Sequence, residues 1–417
     1  GMTGPQPFDG DPAAWAAMLE NVRHAFAAAS AGSDGPVNWE LANQLANNMA
    51  AENDRELTTE EKREVSDSLH LADLWLDEVT ILPSGAQRGV AWTRQEWVTQ
   101  TKPAWKQLSD PLASRVVEAM TSQLGTDAEE APEQLRGMLP PEVLGQLGGQ
   151  LSQIFAGVGG VVFGAQLGKG IGTLSGEVLS ATDIGLQLGP AGTAALVTAN
   201  LAEYAEGLER PVDEVRLYAS LREAAHHRLY QHVPWLRSHV TDAVTAYARG
   251  IVVDREAFED ALDRLQIEVD ARNPESMQLA ISEGLFTPAQ TPQQKQALAR
   301  LELALALVEG WVSHVVDSAA GKHLPSTAAL SEASRRRRAA GGPAEQTFAT
   351  LVGLELRPRK LREAAALWEL LEQRRNVEGR DGIWQHPDLL PTTEDLDNPE
   401  EFTSKAPGVE IPGIEDL

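Results

Sequence analysis

Leu221-Arg222-Glu223-Ala224-Ala225-His226-His227 is the stretch on which the fold reading turns. In the H-E-x-x-H helix of zinc hydrolases, two histidines four apart share one helix face and hold the metal, and the glutamate beside the first is the general base. Glu223 and His226 stand where that pattern wants the base and the second ligand, but Arg222 stands where it wants the first ligand. A guanidinium keeps its proton in a protein and has no lone pair to offer a metal. The question is whether a metal-hydrolase scaffold altered in this way still does chemistry.

Outward from this stretch, Pro211 is placed to open a helix, with Asp213 and Glu214 in its first turn where they favour the dipole. Val215, Tyr218, Leu221, Ala225 and Leu229 recur at helical spacing, and Pro234 ends the run. On such a helix Arg222 and His226 share a face, while Glu223 and His227 point about 100° round from them. His226 is the first candidate ligand, and His227 and His232 are the alternates. The plain alternative is that these are partly buried histidines satisfied by hydrogen bonds.

A second stretch, Leu301 to His314, is almost wholly apolar around Glu309. An isolated buried charge costs several kcal/mol, so Glu309 is expected to be paired or metal-bound. His314 and Asp317, three apart, are expected to bond to one another or to support the site from behind. Glycines at 160, 164, 168, 172 and 176 form a ridge along one helix face, expected to admit another backbone closely in a soluble core. Gly168-Lys169-Gly170 lacks the spacing of a phosphate loop.

The 417 residues carry 61 acidic against 35 basic side chains, a formal charge of -26. That excess repels phosphate backbones and anionic lipid, so neither nucleic acid nor a membrane is an expected partner. With no cysteine, any metal must use histidine or carboxylate. Gly1 before Met2 reads as an expression remnant, and no leader pattern follows it, which points to a cytoplasmic protein.

Elsewhere the patterning is mainly helical. Helices are expected over residues 39–53, from the capping box Thr58 to Glu61, and from the box Thr93 to Glu96 with a kink at Pro103. Further helices are expected over 235–249, 254–269 and 274–284, from Thr291-Pro292-Gln293-Gln294 to about 317, and over 345–354 and 361–375. Trp75, Trp92, Trp97 and Trp105 are expected to cluster. Residues 193–204 are the strand candidate, Arg335 to Arg338 a basic loop, and the acidic region from 387 an extended tail. The division expected is an N-terminal helical region over 1–125, a linker over 126–141, the main helical domain over 142–400, and an acidic tail over 401–417.

Five segments in this order resemble the type-2 zincin-like metallopeptidases, a mostly actinobacterial family that includes candidate hydrolases. They are Gly164-Ala165-Gln166-Leu167-Gly168, Leu221 to His226, Val233-Pro234-Trp235-Leu236-Arg237, Val308 to Asp317, and Gly379-Arg380-Asp381-Gly382-Ile383-Trp384. The resemblance covers about residues 38 to 400. It implies a predominantly helical α+β fold, with a zincin-like core, a small sheet beside the motif helix and an added N-terminal helical region. It implies Glu223 as general base and His226 and Glu309 as metal ligands, with Arg222 filling the place of the first. Two ligands fall short of the three that a catalytic zinc needs. Arg222 is therefore expected to pair with Glu309 where the metal would sit. On this reading no cofactor is bound, and the old cleft receives a peptide or protein partner. The alternatives are a zinc-dependent hydrolase that recruits His227 or His232, and a helical scaffold acting through its surface.

Overall fold

Three reciprocal capping boxes start three of the long helices, with Thr58 and Glu61, Thr93 and Glu96, and Thr291 and Gln294 exchanging side-chain and backbone hydrogen bonds. The computed structural model describes residues 35–124, 141–253, 288–289, 291–341 and 360–405, with positions 13 and 256 besides. In chain order it has α1 (Trp39–Ala51), α2 (Thr59–Leu76), β1 (Arg88–Trp92), α3 (Arg94–Leu124), α4 (Pro141–Ser175), β2 (Thr193–Val197), α5 (Thr198–Leu208), α6 (Val212–His232) and α7 (Leu236–Arg249). The short strands β3 (Val252–Val253) and β4 (Pro288–Ala289) precede α8 (Pro292–Ala320), α9 (Thr327–Ala339) and α10 (Leu361–Asp381).

The fold is predominantly helical α+β. β1 lies parallel to β2 in the register Arg88↔Thr193 to Trp92↔Val197, and β3 pairs antiparallel with β4. The motif helix α6 packs on β2 and against α2, α5 and α8, while α8 also packs on α7 and α10. Leu221, Ala225 and Leu229 of α6 and Leu305, Val308 and Val312 of α8 are fully buried, so the two motif helices meet in the centre of the core.

The glycine ridge is a tight helix contact. A Cβ at Gly164 would stand 2.6 Å from the Asn38 carbonyl oxygen, and one at Gly168 would stand 2.7 Å from that of Ala42, so α4 seats directly on α1. Among the described residues one helix, α8, is long and apolar enough to cross a membrane, and 78% of its apolar window is buried within the fold.

Several expectations are corrected. The strand expected over 193–204 stops at Val197, because Leu201 and Ala205 beyond it fall at helical spacing and bury one face of α5. β1 was not anticipated, since five residues carry too short a pattern to announce a strand. The four arginines form no loop but the last turns of α9, where good helix formers meet the favourable end of the dipole. The region from 387 is not extended; it holds a 3-10 turn at Pro387–Leu389 and short helices at Thr393–Asp397 and Pro399–Ser404. Trp97 and Trp105 pack edge to face at 6.5 Å, but Trp75 leaves that group and stacks on His323 at 4.3 Å. Pro103 lies within the span of α3, as does Pro111. The linker and the helices expected over 254–269, 274–284 and 345–354 fall almost wholly outside the described residues, as does the tail beyond 405.

Candidate functional site

One carboxylate organises the centre. Glu309 projects from α8 toward α6 and has no solvent exposure. The Nη2 of Arg222 donates to Glu309 Oε2 at 2.6 Å, and the Nε2 of His226 meets Oε1 at 2.8 Å. The other ring nitrogen of His226 lies 2.7 Å from the carbonyl oxygen of Arg222. Both ring nitrogens thus face acceptors, and both contacts are hydrogen bonds only when the ring carries two hydrogens. Arg338 completes the enclosure, its Nε 3.7 Å from Oε2 and its Nη2 bonded to the Ile184 carbonyl. Burial pushes the Glu309 carboxyl upward, but Arg338, His226 and Arg222 outweigh it and hold the group well below the usual carboxylate range.

Glu223 faces elsewhere. It accepts hydrogen bonds from the Thr182 amide at 3.0 Å, the Thr182 hydroxyl, the Ala195 amide at 2.9 Å and His227 Nε2 at 3.2 Å. Against the upward push of burial, His227 and these donors keep its carboxyl ionised and lowered. Fully buried, Glu223 fastens α6 to β2 and to the turn at Thr182. That geometry belongs to a structural tie, whereas a general base needs an oxygen open to water.

The remaining candidates do not converge on Glu309. His227 belongs to the Glu223 group, and its Nδ1 has no partner among the described residues. His232 bonds the Ser84 carbonyl at 3.0 Å. Neither alternate can take the place of the first ligand where it stands. His314 and Asp317 do not bond to one another, because neighbouring helices supply each a partner. His314 pairs with Glu372 at 2.9 Å, and Asp317 accepts from Tyr218 at 2.8 Å and Ser331 at 2.6 Å. Asp317 touches the site indirectly, by steadying Tyr218.

Sequence reasoning missed the part played by α9. Arg337 Nη1 donates to both oxygens of Asp183, at 2.6 and 2.7 Å, its Nη2 donates to the Glu177 carbonyl at 2.6 Å, and its guanidinium lies over the Tyr204 ring at 5.6 Å, while Arg335 reaches Asp317 at 3.6 Å. Beneath these arginines, a cavity of about 30 Å³ is walled by Ser180, Asp183, Tyr204, Tyr218, Arg222 and His226. It has room for a water or two. A basic run next to helix-forming sequence in so acidic a chain was the available signal.

These residues do not fit a zinc ion. His226 and Glu309 supply two ligand side chains, and the third position presents a guanidinium already bonded to Glu309. Among the described residues, no three histidines or carboxylates stand close enough together to hold a metal.

With the geometry established, comparison with known proteins gives two findings. The family model for zincin-like metallopeptidases matches residues 37–403. In structure the chain is similar to a candidate hydrolase with a novel fold from Chloroflexus aurantiacus, at a TM-score of 0.59 and 18% identity, covering 88% of this chain and 97% of that one. At that identity the likeness is one of fold. No curated protein matches the chain significantly.

Proposed function

The chain belongs to the zincin-like metallopeptidase family, and from that premise we propose that it is a non-catalytic member, whose altered zinc site serves a cleft that binds a peptide or protein partner. The observation that carries this reading is the ion pair of Arg222 with Glu309 at 2.6 Å. The guanidinium supplies in place the positive charge that a zinc ion would bring to that carboxylate. It also occupies the ligand position permanently, because arginine does not lose its proton. The fourfold engagement of Glu223 supports the same reading, since no oxygen of that carboxylate remains to activate water. The hydrolase class of the structural neighbour is compatible with a shared scaffold on which ligand sets differ. The acidic, cysteine-free composition suits a cytoplasmic setting.

Elemental analysis of protein purified without chelator tests the proposal. The expected result is no stoichiometric zinc, and the same metal content in His226→Ala. Stoichiometric zinc that disappears on His226→Ala would overturn the reading and restore a metal-dependent hydrolase.

A further inference from the structure

We propose that α9 is a hinged lid over the Arg222 and His226 face of α6, latched by its arginines and opened when that latch is loosened. This deepens the partner-binding reading, on which the purpose of the opening rests. Three observations carry it.

The first is that the site is closed. The cavity in front of Arg222 and His226 measures about 30 Å³, room for a water or two and none for a peptide. Leu330, Ser334 and Arg337 of α9 wall it on one side, and Ala219, Arg222 and His226 of α6 on the other. While α9 is seated, no partner fits between the two helices.

The second is how little apolar surface holds α9 down. Of its 13 residues only Leu330 and Ser331 are buried, whereas α6 and α8 each bury more than half of theirs. Elements with few buried apolar contacts open at lower free energy than the core they rest on.

The third is where its polar contacts lie. At its start, the Ser326 amide and hydroxyl bond the Glu214 carboxylate of α6 at 3.3 and 3.2 Å, which fixes a hinge after the turn at 321–325. At its far end, three arginines reach across to the body of the fold. Arg335 meets Asp317 at 3.6 Å, Arg337 holds Asp183 and the Glu177 carbonyl, and Arg338 holds the Ile184 carbonyl at 2.9 Å. The Glu177 carboxyl faces Arg337 as well, so the latch is a set of opposed charges. The turn that it grips also covers the centre, since a Cβ at Gly185 would stand 2.8 Å from Glu309 Oε1. These charges cross the closing interface, so salt or the loss of one arginine weakens closure without touching the core.

Thiol labelling tests the proposal, and a chain without cysteine gives it no background. Ala219→Cys puts a reporter on α6 beneath the lid, and Ser109→Cys puts another buried thiol on α3, outside the cavity wall. The rate of reaction with dithiodipyridine, a neutral thiol reagent, reads the opening at each. Raising salt from about 0.05 to about 0.5 M is expected to speed labelling at position 219 at least about threefold and to leave position 109 unchanged. Arg337→Gln, which takes a charged donor from a buried carboxylate, is expected to speed labelling at 219 at least about tenfold. Because that variant strands Asp183, Arg335→Gln provides a milder one. Its partner Asp317 keeps Tyr218 and Ser331, and a rise of about twofold to fivefold is expected.

Labelling at 219 that ignores salt and both substitutions would overturn the proposal. Equal acceleration at 219 and 109 would overturn it too, because the whole fold, not a lid, would then be opening. The two readings fail separately. Zinc held by His226 would defeat the non-catalytic reading and leave the lid in place, whereas metal-free protein whose thiol at 219 is indifferent to salt and to the arginines would defeat only this inference.

Discussion

The guanidinium of Arg222 and the carboxylate of Glu309 meet at 2.6 Å in the interior, 87 residues apart in sequence, and each is the reason the other can be there. Glu309 sits on a helix so apolar that its charge needs an answer, and Arg222 sits where a helix designed for metal ligands would carry an imidazole. Burying two charges gives little net stability, but removing one partner leaves the other stranded.

Removing the carboxylate should therefore be the more harmful change. Glu309→Leu leaves Arg222, His226 and Arg338 facing one another with no anion, and should cost about 3 to 5 kcal/mol. Arg222→Met leaves Glu309 with His226 and Arg338, and should cost roughly 1 to 2 kcal/mol. Urea unfolding midpoints at pH 7 measure both, and an Arg222→Met loss equal to or larger than that of Glu309→Leu would show that the carboxylate is not the organiser.

Acid should unfold the protein through these same groups. Glu309, Glu223 and Asp183 all have carboxyls lowered in the folded state, so the stability they contribute is complete above the unfolded carboxyl range, about 4, and is lost as pH falls through their lower folded values. The contribution of these three carboxyls should be flat from pH 7 to about 5 and fall steeply below about 4. Glu309→Gln, already destabilised at neutral pH, should show a shallower fall. Denaturant midpoints across pH 2.5 to 7 decide this, and parallel curves for the two proteins would remove Glu309 from the account.

How much of this was legible before any coordinates depended on whether the signal was local. Caps at Thr58, Thr93 and Thr291 are written within four residues, so their helices could be read directly. Glu309 betrayed itself by being a charge in an apolar run, and its partner followed from the motif on the other helix. The ties of Glu223 to Thr182 and Ala195 rest largely on backbone amides, which every residue but proline has, so no pattern could name them. The same holds for β1, which is defined by a partner more than a hundred residues away. The arginines of α9 were visible as a charge run, but their targets, Asp183 and Ile184, lie on a turn whose position only packing decides.

The seat of α4 on α1 gives a test by contrast. Gly168→Ala would drive a Cβ to 2.7 Å from the Ala42 carbonyl and should cost about 1 to 3 kcal/mol, as overpacking does. Gly157→Ala meets nothing within 4 Å on the same helix and should be neutral or stabilising by up to about 1 kcal/mol through helix propensity. Thermal unfolding of the pair separates the contact from any general effect of losing glycine. Equal shifts would mean that the ridge does not seat the helix.

Arg222→His is the substitution that most directly probes the site. It rebuilds H-E-x-x-H in front of Glu309 and removes the fixed charge, leaving two imidazoles and a carboxylate where three ligands are wanted. The variant should hold zinc at one per chain by elemental analysis. It should also gain about 2.7 kcal/mol of stability at a zinc concentration a hundred times its Kd. Peptide hydrolysis should nevertheless not follow, because Glu223 remains fastened to Thr182, Ala195 and His227 and presents no oxygen to a metal-bound water. If activity did appear with the metal, the ties on Glu223 must yield readily, and the proposed inactivity would trace to residue 222 alone. If zinc failed to bind, the spacing of α6 and α8 has itself drifted from ligand geometry, and the ion pair would be the consequence of that drift instead of its cause.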